Sequence, residues 1–168
     1  MAFKDILGNN RVKNILKKAL KRDRCPNSLL FFGSEGVGKK DMALVVAKAM
    51  NCFQMNDDAC EVCESCRAIN NGRFPDVMVF SALKETVKID QMRQLKHAAY
   101  LKPMVGRKRI FIIEEAEKMK EEASNSLLKV LEEPPLFSHI ILITKNPYLL
   151  LPTLKSRCQV LSFSPISR

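Results

Sequence analysis

The chain has 168 residues, 46% of them apolar and 27% charged, and reads as one soluble globular domain with a buried core. No apolar run nears the roughly 20 residues of a membrane span, and Met1-Ala2-Phe3-Lys4-Asp5-Ile6-Leu7 mixes charge into what a secretory signal would keep apolar. A membrane protein is excluded and a cytoplasmic address is expected. The net charge of +10, from 28 Lys and Arg against 18 Asp and Glu, favours anionic partners only weakly, because the basic residues are spread along the chain.

Along the chain, Val12, Ile15, Leu16, Ala19 and Leu20 recur at helical spacing over Asn10 to Lys21, before Pro26. Leu29 to Phe32 is a short apolar run that stops at Gly33 and reads as a buried strand. A glycine-rich turn follows, and then a helix over Asp41 to Met50. The next segment is polar, weakly periodic and rich in cysteine. Asp76 to Phe80 is a second strand, and Asp90 is expected to cap a helix running to Tyr100. Arg109 to Ile113 is a third strand, ending in Glu114-Glu115. Glu122 to Leu131 is a helix halted by Pro134-Pro135. Ile140 to Thr144 is a fourth strand, Leu149 to Lys155 a short helix, and Gln159 to Phe163 a fifth strand. Strands that alternate with helices predict an α/β fold with a mostly parallel five-stranded sheet covered on both faces.

Three stretches carry chemistry. Gly33-Ser34-Glu35-Gly36-Val37-Gly38-Lys39-Lys40 nearly satisfies the phosphate-loop pattern GxxxxGK[ST]. Its glycines let backbone N–H groups curl around a phosphate, the following helix adds its positive end, and Lys39 is placed to reach the outer phosphates. The last position departs from the pattern. A hydroxyl there ligates Mg²⁺, whereas Lys40 is itself a cation, which puts binding of ATP with Mg²⁺ in question. Arg109 to Glu115 has the form of a Walker B strand whose end presents carboxylates. Glu114 stands where Asp is usual, and Glu115 stands where a residue would polarise the attacking water. Cys52, Cys60, Cys63 and Cys66, spaced x7, x2 and x2, can close a tetrahedral shell around a structural Zn²⁺. An iron–sulfur cluster is the lesser alternative. His97 and His139 have no partner at ligand spacing and read as ordinary surface or core residues.

Together these residues resemble the bacterial clamp-loader subunits of DNA polymerase III, which are AAA+ proteins with the P-loop NTPase fold. The resemblance runs from about Asp5 to Phe163. It includes Asn27-Ser28-Leu29-Leu30-Phe31 before the loop, the four-cysteine insertion at about 51–72, and Phe74-Pro75-Asp76 at the second strand. It also includes Asn125 to Pro135, reading NSLLKVLEEPP, and the SRC triplet Ser156-Arg157-Cys158. The resemblance implies an ATPase-like module over residues 1–168, with the family's lid and collar domains outside it. Lys40 places the chain on the delta-prime side of the family rather than with gamma/tau, whose motor subunits keep Ser or Thr at that position. A delta-prime subunit is the non-hydrolysing member of a ring that loads the sliding clamp onto primed DNA together with gamma/tau and delta. Its SRC arginine, here Arg157, reaches into a neighbour's ATP site. Lys39 and Glu115 keep a second reading open, an ATP-hydrolysing motor of the gamma/tau kind. A free-standing zinc-bearing DNA-binding protein would need a recognition helix or stacking aromatics, and neither is evident.

Overall fold

The computed structural model describes residues 1–54 and 56–166. In chain order the elements are α1 (Asn10–Lys21), β1 (Ser28–Phe32), α2 (Lys39–Asn51), α3 (Glu64–Asn70), β2 (Val77–Phe80), α4 (Ile89–Ala99), β3 (Arg109–Ile113), α5 (Glu121–Glu132), β4 (Ser138–Thr144), α6 (Pro152–Lys155) and β5 (Gln159–Ser162). The five strands form one sheet in the order β2-β3-β4-β1-β5, and every pairing is parallel.

Continuous apolar runs form the inner strands β1, β3 and β4 because both faces of the sheet are covered there, so neither parity of side chain meets water, whereas the edge strands β2 and β5 are partly exposed. Leu29 and Phe31 of β1, Ile110 and Ile112 of β3, and Ile141 and Ile143 of β4 pack with Val12, Leu16 and Leu20 of α1 and with the apolar residues of α2. The intervening Leu30, Phe111, Ile113, Ile140 and Leu142 face Met92 and Leu95 of α4, Leu127 and Val130 of α5 and Leu154 of α6. Truncating one such fully buried leucine, Leu127→Ala for example, costs about 2–5 kcal/mol.

The structure corrects local expectations. Asp90 is not the cap of α4; the helix starts at Ile89, and the backbone N–H of Lys88 is satisfied by Gln91 Oε1 at 2.8 Å. The helix expected from Leu149 to Lys155 is broken. A 3-10 turn covers Pro147–Leu149, and α6 begins afresh at Pro152, where the missing N–H of proline costs nothing. The cysteine segment, read as irregular, carries α3.

The chain leaves β1 for the far edge of the sheet through α2 on one face, and leaves β4 across β1 to β5 through α6 on the other. Neighbouring strands whose connections part to opposite faces open a crevice at their C-terminal ends, where ligands bind in such sheets.

Candidate functional site

The crevice is a cleft of about 450 Å³ lined by Gly36, Gly38, Lys39, Lys40, Glu114, Glu115 and Glu117, with Thr144 and Lys145 from the end of β4. The glycine turn is built by close approach. A Cβ on Gly33 would lie 2.5 Å from the carbonyl oxygen of Phe163, which follows β5. Gly38 takes φ +86° at the start of α2, a left-handed conformation that glycine adopts without strain. Asn9 ties this loop to its neighbours, donating from Nδ2 to the Val37 carbonyl at 3.3 Å and accepting at Oδ1 from the Ser164 N–H at 2.8 Å. Beside the cleft, a hollow of about 400 Å³ runs between the loop and Ile6, Leu7, Pro165 and Ile166.

Lys39 is folded back into the loop. Its ammonium donates to the carbonyls of Gly33 and Ser34, each at 2.6 Å. Burial pushes its pKa below the usual lysine value, against the pull of Glu117 and Glu35. Lys40 crosses the cleft to Glu114, with Nζ 2.7 Å from Oε1. The other oxygen, Oε2, accepts from Ser81 Oγ at 2.6 Å at the end of β2. The Walker B carboxylate thus has both oxygens engaged within the chain, one of them by a cation. Glu115 takes φ +49°, and its carboxylate pairs with Lys118 at 2.8 Å.

Sequence reasoning missed three groups here. Thr144 closes β4 inside the cleft, with its Oγ1 bonded to the backbone of Asn146. Ser81 orients Glu114. Glu117 leaves Oε2 buried and without a hydrogen-bond partner among the described residues. For Thr144 and Ser81 the available signal was position, since each stands where an apolar run of the parallel sheet ends.

The four cysteines meet from three places, the end of α2, the loop after it and the first turn of α3. Their Sγ atoms all lie within 4.8 Å of one another. Cys52 follows the last turn of α2, and Cys63 caps α3, accepting from the Cys66 N–H at 3.5 Å. Cys60 Sγ accepts from the Cys63 N–H at 3.3 Å and lies 4.0 Å from Cys66 Sγ. Four thiolates around Zn²⁺ stand about 3.8 Å apart at a metal–sulfur distance of about 2.3 Å, so this cage fits a tetrahedral ion after small adjustments. Burial alone would raise the Cys63 thiol. N–H groups of Cys66 and Phe53, with the neighbouring thiols, outweigh it and bring Cys63 down to about 6. Burial, with the charges of Cys52 and Cys63, pushes Cys66 up. Such a set can become four thiolates only around a central cation.

Arg157 lies elsewhere. It precedes β5, whose first residue Gln159 is level with Leu29 near the start of β1. The phosphate loop begins where β1 ends, so roughly 13 Å of strand separates the two levels. Arg157 Nη2 pairs with Glu132 at the end of α5 at 2.5 Å, and Nη1 donates to the Thr153 carbonyl at 2.9 Å.

Residues 8–167 match the protein family described as DNA polymerase III, delta subunit. The chain belongs to this family. Among curated relatives it is 36% identical over 156 residues to the DNA polymerase III subunit delta' of Bacillus subtilis, covering 93% of this chain and 47% of that protein. It is 36% identical over 157 residues to the tau/gamma subunit of Haemophilus influenzae, covering 93% of this chain and 23% of that protein. The chain therefore spans about half of one relative and a quarter of the other. A crystal structure of a gamma-subunit-related protein from Thermotoga maritima superposes with a TM-score of 0.69 at 25% identity, over 94% of this chain and 46% of that one. The Thermotoga maritima RuvB branch-migration motor, at TM-score 0.59 and 20% identity over 93% of this chain and 45% of that one, shares the fold. The delta-subunit family assignment and these neighbours agree with the P-loop, AAA+-type architecture. No described helix is long and apolar enough to cross a membrane.

Proposed function

We propose that this chain is the ATPase-like module of a delta-prime clamp-loader subunit, one that helps load the sliding clamp onto primed DNA without hydrolysing ATP. Its partners on this reading are the gamma/tau and delta subunits, the clamp, and primed DNA through the assembled complex. The observation that carries it is the contact of Lys40 Nζ with Glu114 Oε1 at 2.7 Å. Mg²⁺ in a phosphate-loop enzyme is held by a hydroxyl at the position of Lys40 and a Walker B carboxylate. Here the first is an ammonium and the second is already neutralised by it. Identity alone does not separate delta-prime from gamma/tau, since both kinds of relative stand at 36%; the ion pair favours the first.

The proposal assigns Gly33, Gly36, Val37, Gly38 and Lys39 to a loop that keeps its shape, and Glu115 to a position with no chemistry to perform. It assigns Cys52, Cys60, Cys63 and Cys66 to a structural Zn²⁺, the ion that a closed four-thiolate shell suits. Arg157 is assigned to the ATP site of a neighbouring subunit, which its distance from the cleft of its own chain supports. The deciding measurement is ATP turnover by the purified subunit alone. A rate indistinguishable from buffer supports the reading. Steady Mg²⁺-dependent turnover moves the chain to the gamma/tau motor class.

A further inference from the structure

A hollow of about 740 Å³ opens at the end of the sheet opposite the cleft, between the ends of α1 and α2, the turn before β1 and the start of β4. Lys21, Arg24, Arg107 and Lys108 line it, against a single acid, Asp23. That acid neutralises little, since its Oδ1 is 4.0 Å from Lys108 Nζ, at the outer limit of an ion pair. Among the described residues, the Lys108 ammonium otherwise donates to the Leu136 carbonyl at 3.4 Å. Arg107 gives one arm to the Cys52 carbonyl, its one side-chain hydrogen bond among the described residues. The site therefore concentrates positive charge in a concave space of the size that small-molecule sites occupy, about 300–1,000 Å³.

His139 supplies a reporter at the wall of the hollow. It lines the hollow and is 4% exposed. Its Nδ1 is 3.0 Å from the Pro26 carbonyl, which can only accept, so Nδ1 carries the hydrogen. Nε2 is then an acceptor, closed off from solvent and without a hydrogen-bond partner among the described residues. Leu20, Met50 and Leu136 supply an apolar wall.

We infer that this hollow binds a phosphate ester of nucleotide size, its phosphates on the Lys21, Arg24, Arg107 and Lys108 cations and its organic part against the apolar wall of Leu20, Met50 and Leu136. Inorganic polyphosphate answers the cations alone, so it binds more weakly than a nucleotide of equal charge. The site is separate from the phosphate loop and does not depend on how that loop is read.

The experiment titrates the chain carrying Lys39→Ala and Lys40→Ala with ATP and with inorganic tripolyphosphate, by calorimetry without divalent metal. The imidazole nitrogens of His139 are followed by NMR. We expect ATP to bind this background about tenfold more tightly than tripolyphosphate, to shift the imidazole nitrogens of His139, and to lose about tenfold in affinity on Lys108→Ala. Arg24→Glu, at an exposed position that the fold does not need, gives the same loss and stands in if Lys108→Ala unfolds. The inference is overturned if ATP binding vanishes in the loop-altered background, or if neither cation variant weakens it. Equal binding of the two probes with His139 unmoved also overturns it, as does binding of a single-stranded oligonucleotide in the absence of ATP binding.

Discussion

Lys48 of α2 and Glu61 of the cysteine-bearing segment form an ion pair in which the lysine side chain is 2% exposed. Lys48 also donates to the Met1 carbonyl and to Asn70 Oδ1 at 2.9 Å, and Asn70 Nδ2 donates to Glu61 at 3.0 Å. The helix that starts at the phosphate loop is thus tied near its other end to the metal-binding segment, by a charge that has left water.

Removing one partner of a buried pair leaves the other charge uncompensated. Glu61→Gln should destabilise the chain by about 3 kcal/mol, the low end for such a loss, because Lys48 keeps two other acceptors. Lys48→Met, which removes the buried charge itself, should cost clearly less. Urea unfolding of the two variants checks the order. If Lys48→Met proves the more costly, the pair does not carry this stability.

The same pair makes the fold acid-sensitive. Burial would raise the Glu61 carboxyl, but hydrogen bonds from Lys48, the chain's amino group and Asn70 hold it down at about 2, against 4.5 in an open chain. A carboxyl depressed on folding stabilises above its unfolded value and loses that contribution as pH falls through it. The contribution should be complete above pH 4.5 and decline towards pH 2. Asp76 acts in the same direction. Burial opposes its ionisation, but the N–H groups of Gly106, Met104 and Val105, with Arg109, lower its pKa. Unfolding midpoints at pH 6, 4 and 3 should fall more steeply for the parent than for Glu61→Gln.

Much of this was legible in the sequence, and the reasons differ by element. All five strands stand within a residue or two of their expected bounds; for β1, β3 and β4 the reason is that a strand buried on both faces has to be a continuous apolar run. The phosphate loop was legible because its glycines are needed where its backbone turns. What escaped depends on partners distant in sequence. Lys48 sits in an apolar helix and resembles a solvated lysine until Glu61 is placed beside it. Asp76 marks a strand start in the sequence, yet in the fold it accepts three successive N–H groups at 2.6–2.7 Å from residues about thirty positions on. The α3 helix is short, and one of its ends is defined by the Cys63 cap rather than by periodicity.

Zinc analysis of the purified chain should give one ion per molecule, with no iron chromophore. Cys63→Ser should lose the metal, and with it the α3 cap. Because metal binding at such a site is also folding free energy, the variant should expose the insertion to protease while the sheet keeps its cooperative unfolding. Full metal retention by Cys63→Ser would remove that cysteine from the ligand set.

Lys40→Thr tests the cleft directly. The substitution supplies the missing hydroxyl and releases Glu114 from its 2.7 Å contact. Affinity for ATP should rise about tenfold with Mg²⁺ present and change little without it, a difference of about 1.4 kcal/mol. Fluorescent-nucleotide titration in the presence and absence of Mg²⁺ is the check. An equal gain in both would mean that Lys40 obstructs the nucleotide rather than the metal.

Arg157 is the test of action between subunits. Its contacts within the chain are modest. The pair with Glu132 joins side chains 31% and 48% exposed, and such pairs contribute under about 1 kcal/mol. Arg157→Ala should therefore leave the unfolding midpoint and zinc content nearly unchanged. In a reconstituted loader the arginine has a different task. A guanidinium stays charged and can bridge two phosphate oxygens, and an arginine supplied to a transferring phosphoryl group is worth about 10³ to 10⁵ in rate. To reach a neighbour, Arg157 has to leave Glu132, so Glu132→Gln should leave assembly intact and, if it changes turnover at all, raise it. Arg157→Lys, which keeps the charge but not the planar fork, should rescue little of the loss. Loaders carrying Arg157→Ala that hydrolyse ATP and load clamps at the parental rate would show that Arg157 serves only its own chain.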